Sequence, residues 1–139
     1  GGPPFTSREI ETIKDNGLSR SDFLHLTRTN DEDLRRLYSN STALIIPSRY
    51  EGFGLPAAEA ARCKGLVLAA KGSALTEIVG DTEYSFDLRR HGEANRVLSL
   101  GFDNQRAEAE RERLYQRSLR FNWDLAAKQH HEVYCEING

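Results

Sequence analysis

Four short apolar runs divide the chain, and each of them predicts a β-strand. They are residues 23–27 (FLHLT), 43–47 (ALIIP), 66–70 (LVLAA) and 84–88 (YSFDL), the last being the least apolar. The middle two are apolar throughout rather than alternating, which is typical of strands that are covered on both faces in a parallel sheet.

Helical periodicity and cap residues predict helices between and after these runs. The expected segments are 6 to about 16, 30 onwards, 55–62, 75–79, 105–120 and 123–134. Asn30 is a suitable N-cap, and the acidic residues 31–33 favour the positive end of a helix. The alternation predicts an α/β fold, with a parallel sheet of about four strands and helices on both faces. Ligands of such sheets bind at the carboxyl ends of the strands, so residues 27–29, 47–55 and 70–74 are expected on one rim.

The segment 47–60 (PSRYEGFGLPAAEA) lies at the centre of this rim and holds two acidic residues, Glu51 and Glu59. Gly52 and Gly54 let the main chain turn sharply and approach a ligand closely. The helix that begins near Leu55 points free N–H groups into this turn, which favours a phosphate. A carboxylate on either side suits the paired hydroxyls of a sugar or ribose. The alternative is structural: a glutamate that complements the helix dipole and a glycine pair that makes a tight connection.

Composition and charge argue against several classes of protein and of site. Nineteen basic and twenty-one acidic residues give a net charge of −2, which argues against a general electrostatic grip on nucleic acid. The two distant cysteines, Cys63 and Cys135, favour reduced thiols in a cytosolic protein. No apolar run approaches the ~20 residues that cross a bilayer, and no signal peptide is evident. The charged run 107–113 (AEAERER) predicts an exposed helix face. No Asp/His metal cluster is visible, and the adjacent His130 and His131 point about 100° apart on a helix.

The segment 47–60 resembles the signature of retaining nucleotide-sugar glycosyltransferases of family 4, within the GT-B fold. That signature places seven residues between two glutamates, the first of which lies inside Glu-Gly-Phe-Gly-Leu-Pro. Residues 30–39 (NDEDLRRLYS), 72–81 (GSALTEIVGD) and 122–134 are similar to the elements that surround it in the family. The family usually carries a proline where Thr76 stands. The resemblance covers roughly residues 1–136.

The resemblance implies a Rossmann-like fold and a single domain fragment over residues 1–139. This fragment would be the carboxy-terminal nucleotide-sugar-binding domain, without the amino-terminal partner domain and without its own first strands. The start of the chain is similar to a cut inside a longer protein. The basic residues that hold the pyrophosphate in the family would lie in the missing part, so we expect weak donor binding and no turnover by the chain alone.

The resemblance also assigns roles to individual residues. Glu51 is the catalytic candidate and would contact donor-sugar hydroxyls near the reacting carbon. The main-chain amides of residues 52–55 would hold the sugar and the distal phosphate, Glu59 would bind the ribose hydroxyls, and Arg28 and Thr29 would lie near the nucleobase. The complete donor-binding set is Gly52, Phe53, Gly54, Leu55, Glu59, Arg28 and Thr29.

The expected reaction transfers a sugar from a nucleotide to a hydroxyl with retention of anomeric configuration. Double displacement and a front-face process both stay open, and the resemblance favours the second. We expect no cofactor and no metal; the partners would be a nucleoside-diphosphate sugar, an acceptor glycan, glycolipid or sugar, and the amino-terminal domain. Self-association through an exposed sheet edge or the final helix is a further expectation, as is a cytoplasmic location, at the membrane face in the parent protein. The alternatives are a phosphorylase, a nucleotide-sugar epimerase or a non-catalytic nucleotide-binding or interaction module.

Overall fold

The computed structural model describes residues 3–138, and the chain forms two compact units, 1–34 and 35–139. In the first unit helix α1 spans Ser7–Asp15, as predicted. Thr6 caps it reciprocally: the Glu9 amide donates to Thr6 Oγ1 (3.3 Å), and the Thr6 amide donates to Glu9 Oε2 (2.7 Å). A single 3₁₀ turn, Arg20–Asp22, follows.

The predicted strand 23–27 is wrong. This segment has no regular secondary structure, and Leu24 in its middle is 81% exposed. The segment instead makes aromatic contacts with Phe5. The Phe5 ring centroid lies 6.1 Å from that of Phe23 and 5.5 Å from that of His25. An apolar run becomes a strand only where a second extended segment pairs with it, and the described part of this unit has none.

Helix α2 spans Asp31–Asn40. The predicted cap is confirmed, because the Asp33 amide donates to Asn30 Oδ1 at 2.8 Å. The remaining elements are β1 (Leu44–Ile46), α3 (Leu55–Arg62), β2 (Val67–Ala70), α4 (Leu75–Val79), β3 (Ser85–Phe86), α5 (Glu93–Gly101), α6 (Asn104–Ser118) and α7 (Trp123–Asn138).

The three strands form a parallel sheet in the order β1-β2-β3, which confirms the α/β class but with three strands rather than about four. Ile45 pairs with Leu68 between β1 and β2, and Ala69 pairs with Ser85 between β2 and β3. None of the helices within residues 3–138 is both long and apolar enough to cross a membrane.

The core lies on both faces of this sheet, because the side chains of β2 alternate between two clusters. Val67 and Ala69 pack with residues of α3, α4 and α6, including Leu114. Leu68 and Ala70 pack on the opposite face, with residues of α5 and β3. All four residues of β2 are buried, as the continuous apolar run predicts.

Helix α5 was not predicted. It starts after Gly92, which has a φ of 82°, and Glu93 in its first turn accepts a hydrogen bond from the Asp87 amide (2.6 Å). The prediction of an exposed charged face over residues 107–113 is wrong in part. Ala107 and Glu110 are 2% and 6% exposed, because α6 lies against α3, α4 and α5.

Candidate functional site

The turn between β1 and α3 carries the first acidic residue of the predicted site. Because β1 and β2 are parallel, the segments that follow them emerge at the same edge of the sheet. A backbone hydrogen bond joins these segments, from the Ala74 amide to the Glu51 carbonyl oxygen (3.4 Å). The predicted meeting of residues 47–55 with residues 70–74 is therefore confirmed.

The two glycines of the turn serve different purposes. Gly54 is buried, with φ 84° and ψ 43°, and a Cβ there would lie 2.9 Å from Leu75 Cδ2 and 3.3 Å from Ile78 Cδ1. Backbone conformation and space thus both require glycine at this position. Gly52 does not have a positive φ, and a Cβ there would meet no atom within 4 Å. The space beside Gly52 is open to a ligand.

Four consecutive main-chain amides in this turn donate no hydrogen bond to any residue within 3–138. They belong to residues 52–55. Pro56 has no N–H, and the amides of Ala57 and Ala58 already donate to the Gly54 carbonyl oxygen at 2.9 and 3.3 Å. The free N–H groups therefore lie immediately at and before the amino end of α3, where the helix dipole is positive.

The carboxylate of Glu51 has neither a hydrogen bond nor an ion pair with any described residue, although the residue is half-buried. It is held through its backbone, by the hydrogen bond from Ala74. A half-buried acidic side chain without a partner is available to accept hydrogen bonds from ligand hydroxyls.

Glu59 lies one turn into α3 and has a partner that the sequence did not predict. Tyr38 of α2 donates its hydroxyl to Glu59 Oε2 at 3.3 Å. Burial and then the negative charge of Glu59 raise the pKa of Tyr38 to about 12, so the phenol stays protonated and remains a donor. A contact across 21 residues leaves no local signal in the sequence.

An open groove of about 650 Å³ lies beside Glu59. Phe53 forms one of its walls and packs edge-on against Phe121, with 5.7 Å between the ring centroids. Arg62 and Trp123 line it as well, and Trp123 is 84% exposed. The groove is mainly apolar, unlike the turn at Glu51, and its aromatic contact holds Phe53 against the body of the unit.

The loop after β2 closes the other side of the turn. Its backbone is constrained, since Gly72 and Ser73 have φ values of 103° and 57°. The Gly72 amide donates to Thr76 Oγ1 at 3.1 Å, which connects this loop to α4. Thr76 stands where the family that the sequence resembles usually has a proline. Ser73 Oγ is buried and has no partner among the described residues.

Arg28 and Thr29 lie in the other compact unit, in the irregular segment just before α2. Arg28 is exposed and Thr29 is half-buried. Their assignment to a nucleobase stays a prediction. The expectation that no metal takes part also stays a prediction; in the part of the chain that the structure describes, no three His, Cys, Asp or Glu residues cluster as metal ligands.

Comparison with known proteins places this geometry in a family context. A family model described as "Glycosyl transferases group 1" matches residues 1–118. The serotype-specific mannosyltransferase WbdA of Escherichia coli is 29% identical over 122 residues, which make up 87% of this chain and 15% of that protein.

Two further relatives share shorter segments. O-antigen chain mannosyltransferase B of Escherichia coli is 47% identical over 51 residues, 37% of this chain and 13% of that protein. The MMP alpha-(1->4)-mannosyltransferase of Mycolicibacterium hassiacum is 41% identical over 64 residues, 45% of this chain and 16% of that protein. The matched segments thus make up between 13% and 16% of the length of these curated relatives.

Proposed function

Because the chain belongs to the group 1 glycosyl transferases, which have the GT-B fold, we propose that it supplies the donor half-site of an enzyme that transfers mannose from a nucleotide sugar to a hydroxyl. The choice of mannose draws on the three relatives, each of which is named a mannosyltransferase. The acceptor is a glycan, a glycolipid or a free sugar.

One observation carries this proposal. Four free amides lie between two glutamates, of which Glu51 has no partner among the described residues and Glu59 accepts a hydrogen bond from Tyr38. The amides of residues 52–55 lie at the amino end of α3 and suit the distal phosphate of a nucleoside diphosphate. The unpartnered carboxylate of Glu51 suits the hydroxyls of the sugar. Glu59, one turn further along and held by Tyr38, suits the ribose hydroxyls.

The reaction that we propose retains the anomeric configuration, as in family 4. The bond between the anomeric carbon and the phosphate oxygen breaks, and a bond from the acceptor oxygen to the same carbon forms on the same face. The acceptor proton passes to the leaving phosphate. The amides of residues 52–55 stabilise the negative charge that develops on this phosphate, in the manner of an oxyanion hole. Glu51 orients the sugar and stabilises the positive charge that develops on its ring.

The proposal includes a second domain. The amino-terminal domain supplies the acceptor site, and the first strands of the carboxy-terminal domain supply the basic residues that hold the pyrophosphate. The 139 residues therefore bind donor weakly and do not turn it over. A donor panel tests the half-site: GDP-mannose, UDP-glucose and ADP-glucose are titrated against the chain by calorimetry. We expect weak binding that is strongest for the mannose donor, and no transfer to a sugar acceptor.

Two variants separate the roles of the acidic residues. Glu51→Gln is expected to lower turnover of the complete enzyme far more than donor affinity, whereas Glu59→Gln is expected to lower donor affinity. No binding of any donor at millimolar concentration, with the fold intact by circular dichroism, contradicts the half-site. Equal effects of the two variants on both parameters contradict the assignment of roles.

A further inference from the structure

The carboxyl end of α4 is held by three arginines that lie 34 to 43 residues further along the chain. Helix α4 has five residues, so most of its carbonyl groups have no partner inside the helix. The last three carbonyls accept hydrogen bonds from guanidinium groups of α6 and the turn after it. These bonds are Arg117 Nη2 to Glu77 O (2.9 Å), Arg117 Nε to Ile78 O (2.9 Å), Arg113 Nη2 to Val79 O (2.5 Å) and Arg120 Nη2 to Glu77 O.

The arginines form a small charged cluster against the core. Glu110 is 6% exposed and pairs with Arg113 through two contacts of 2.6 Å, which raises the pKa of that guanidinium. Burial, together with the positive charges of Arg120 and Arg113, lowers the pKa of Arg117. Bringing like charges together is unfavourable in itself, and the cluster persists because each guanidinium meets carbonyl dipoles at a negative helix end.

The opposite end of α4 forms a wall of the candidate site. The Ala74 amide, just before the helix, donates to the Glu51 carbonyl oxygen. Leu75, the first helical residue, lies so close to Gly54 that a Cβ there would be 2.9 Å from it. A helix of five residues is too short to be stable by itself. Burial of Leu75, Ile78 and Val79 holds α4 against the core, and the arginine contacts fix its carboxyl end.

We propose that Arg117, supported by Arg113, is a positioning residue for the donor site. It fixes α4 from the carboxyl end, and α4 in turn fixes the backbone of Glu51 and the turn of residues 52–55. Arg117 acts through α4, with no contact to the donor. The positioning of the turn by Arg117 is inferred from the contacts given above. The effect of Arg117 on donor affinity rests, in addition, on the proposed function.

A matched control is available on the same helix. Arg111 of α6 also donates to backbone carbonyls, with 2.8 Å from its Nη2 to Thr42 O and 3.4 Å from its Nη1 to Lys64 O. These carbonyls precede β1 and β2, so they lie at the amino ends of the strands. Arg111 thus makes the same kind of contact at the edge of the sheet away from Glu51.

The test compares Arg117→Gln with Arg111→Gln in the full chain by hydrogen exchange resolved to single amides. In R117Q we expect the Ala74 amide to exchange at least about tenfold faster than in the wild type, because a lost hydrogen bond to a charged group costs more than the equivalent of a factor of ten. In R111Q we expect Ala74 to keep its wild-type rate while amides near β1 exchange faster. Equal acceleration of Ala74 in both variants, or none in R117Q, overturns the proposal.

Two further measurements complete the design. If R117Q does not fold, Arg117→Lys and Arg111→Lys replace the pair, and the same contrast at Ala74 is required. Titration with GDP-mannose is expected to show about fivefold to tenfold weaker binding by R117Q and unchanged binding by R111Q. If the wild type binds no donor, the proposed function fails, whereas the exchange at Ala74 still decides whether Arg117 positions the turn.

Discussion

Replacing Gly54 by alanine tests how tightly the turn at Glu51 is packed against α4. The new methyl group would lie 2.9 Å from Leu75 Cδ2 and 3.3 Å from Ile78 Cδ1, and both of these side chains are at most 2% exposed. The backbone is also unfavourable for alanine, because φ at Gly54 is 84°.

The two effects can be given magnitudes. The left-handed conformation costs a non-glycine residue about 1–2 kcal/mol. Overpacking in a filled core costs about 1–3 kcal/mol more. Because the flexible ends of Leu75 and Ile78 absorb part of the overlap, we expect Gly54→Ala to lower the free energy of unfolding by about 2–4 kcal/mol.

Gly52→Ala is the matched control, two residues away in the same turn. A Cβ at Gly52 meets no atom within 4 Å and φ is not positive, so we expect a change in stability within about 0.5 kcal/mol. Because Trp123 is 84% exposed and a poor reporter of the core, urea unfolding is followed by far-ultraviolet circular dichroism. Equal losses in the two variants, or a loss below about 0.5 kcal/mol in G54A, would refute this account of the turn.

Four further predictions follow from the same contacts. Tyr38→Phe removes the hydroxyl that donates to Glu59 and is expected to weaken GDP-mannose binding about threefold to tenfold in a calorimetric titration; unchanged affinity would contradict the role of Tyr38. Because the pKa of Tyr38 is raised from 10.0 to about 12, its contribution to stability is complete below pH 10 and is lost as the pH rises towards 12. The midpoint temperature of thermal unfolding should therefore fall less over this pH range in Y38F than in the wild type. Parallel curves for the two proteins would contradict the raised pKa of Tyr38. Glu110→Gln breaks a buried pair whose partner Arg113 is 37% exposed, so we expect a loss of about 1–3 kcal/mol in urea unfolding. Glu112→Gln, which breaks the exposed pair with Lys64, should cost less stability than Glu110→Gln, and the reverse order would refute the assignment. Sedimentation is expected to show concentration-dependent self-association of the chain, reduced by replacing the exposed α7 residues Trp123 and Ile137 with serine, since they are 84% and 73% exposed; a monomer at all concentrations would contradict it.

Local chemistry explains which parts of the fold could be predicted. The turn of residues 47–55 combines two glycines, one proline and one acidic residue, whose conformational preferences act within a few positions. The cap at Asn30 and the fully apolar β2 are equally local, and both are confirmed. By contrast, the run 23–27 has a strand-like composition, but whether it pairs depends on distant parts of the chain.

The missed features of the site depend on contacts between distant positions. Tyr38 reaches Glu59 across 21 residues, and Arg117 reaches the Glu77 carbonyl across 40. The run 107–113 has charges at spacings that suit an exposed helix, yet Glu110 is buried because Arg113 and the end of α4 lie against it. The spacing of residues in the sequence predicts which side chains are neighbours on one helix. It does not predict which carbonyl groups of another helix those side chains will contact.

The central claim is that four free amides between Glu51 and Glu59 bind the phosphate of a nucleotide sugar. The direct measurement is a titration of the chain with GDP in which the amide resonances of residues 52–55 are followed by NMR. We predict that Gly52, Phe53, Gly54 and Leu55 shift progressively with GDP, and shift far less with guanosine, which has no phosphate. Shifts elsewhere in the chain with these four amides unchanged would contradict the claim.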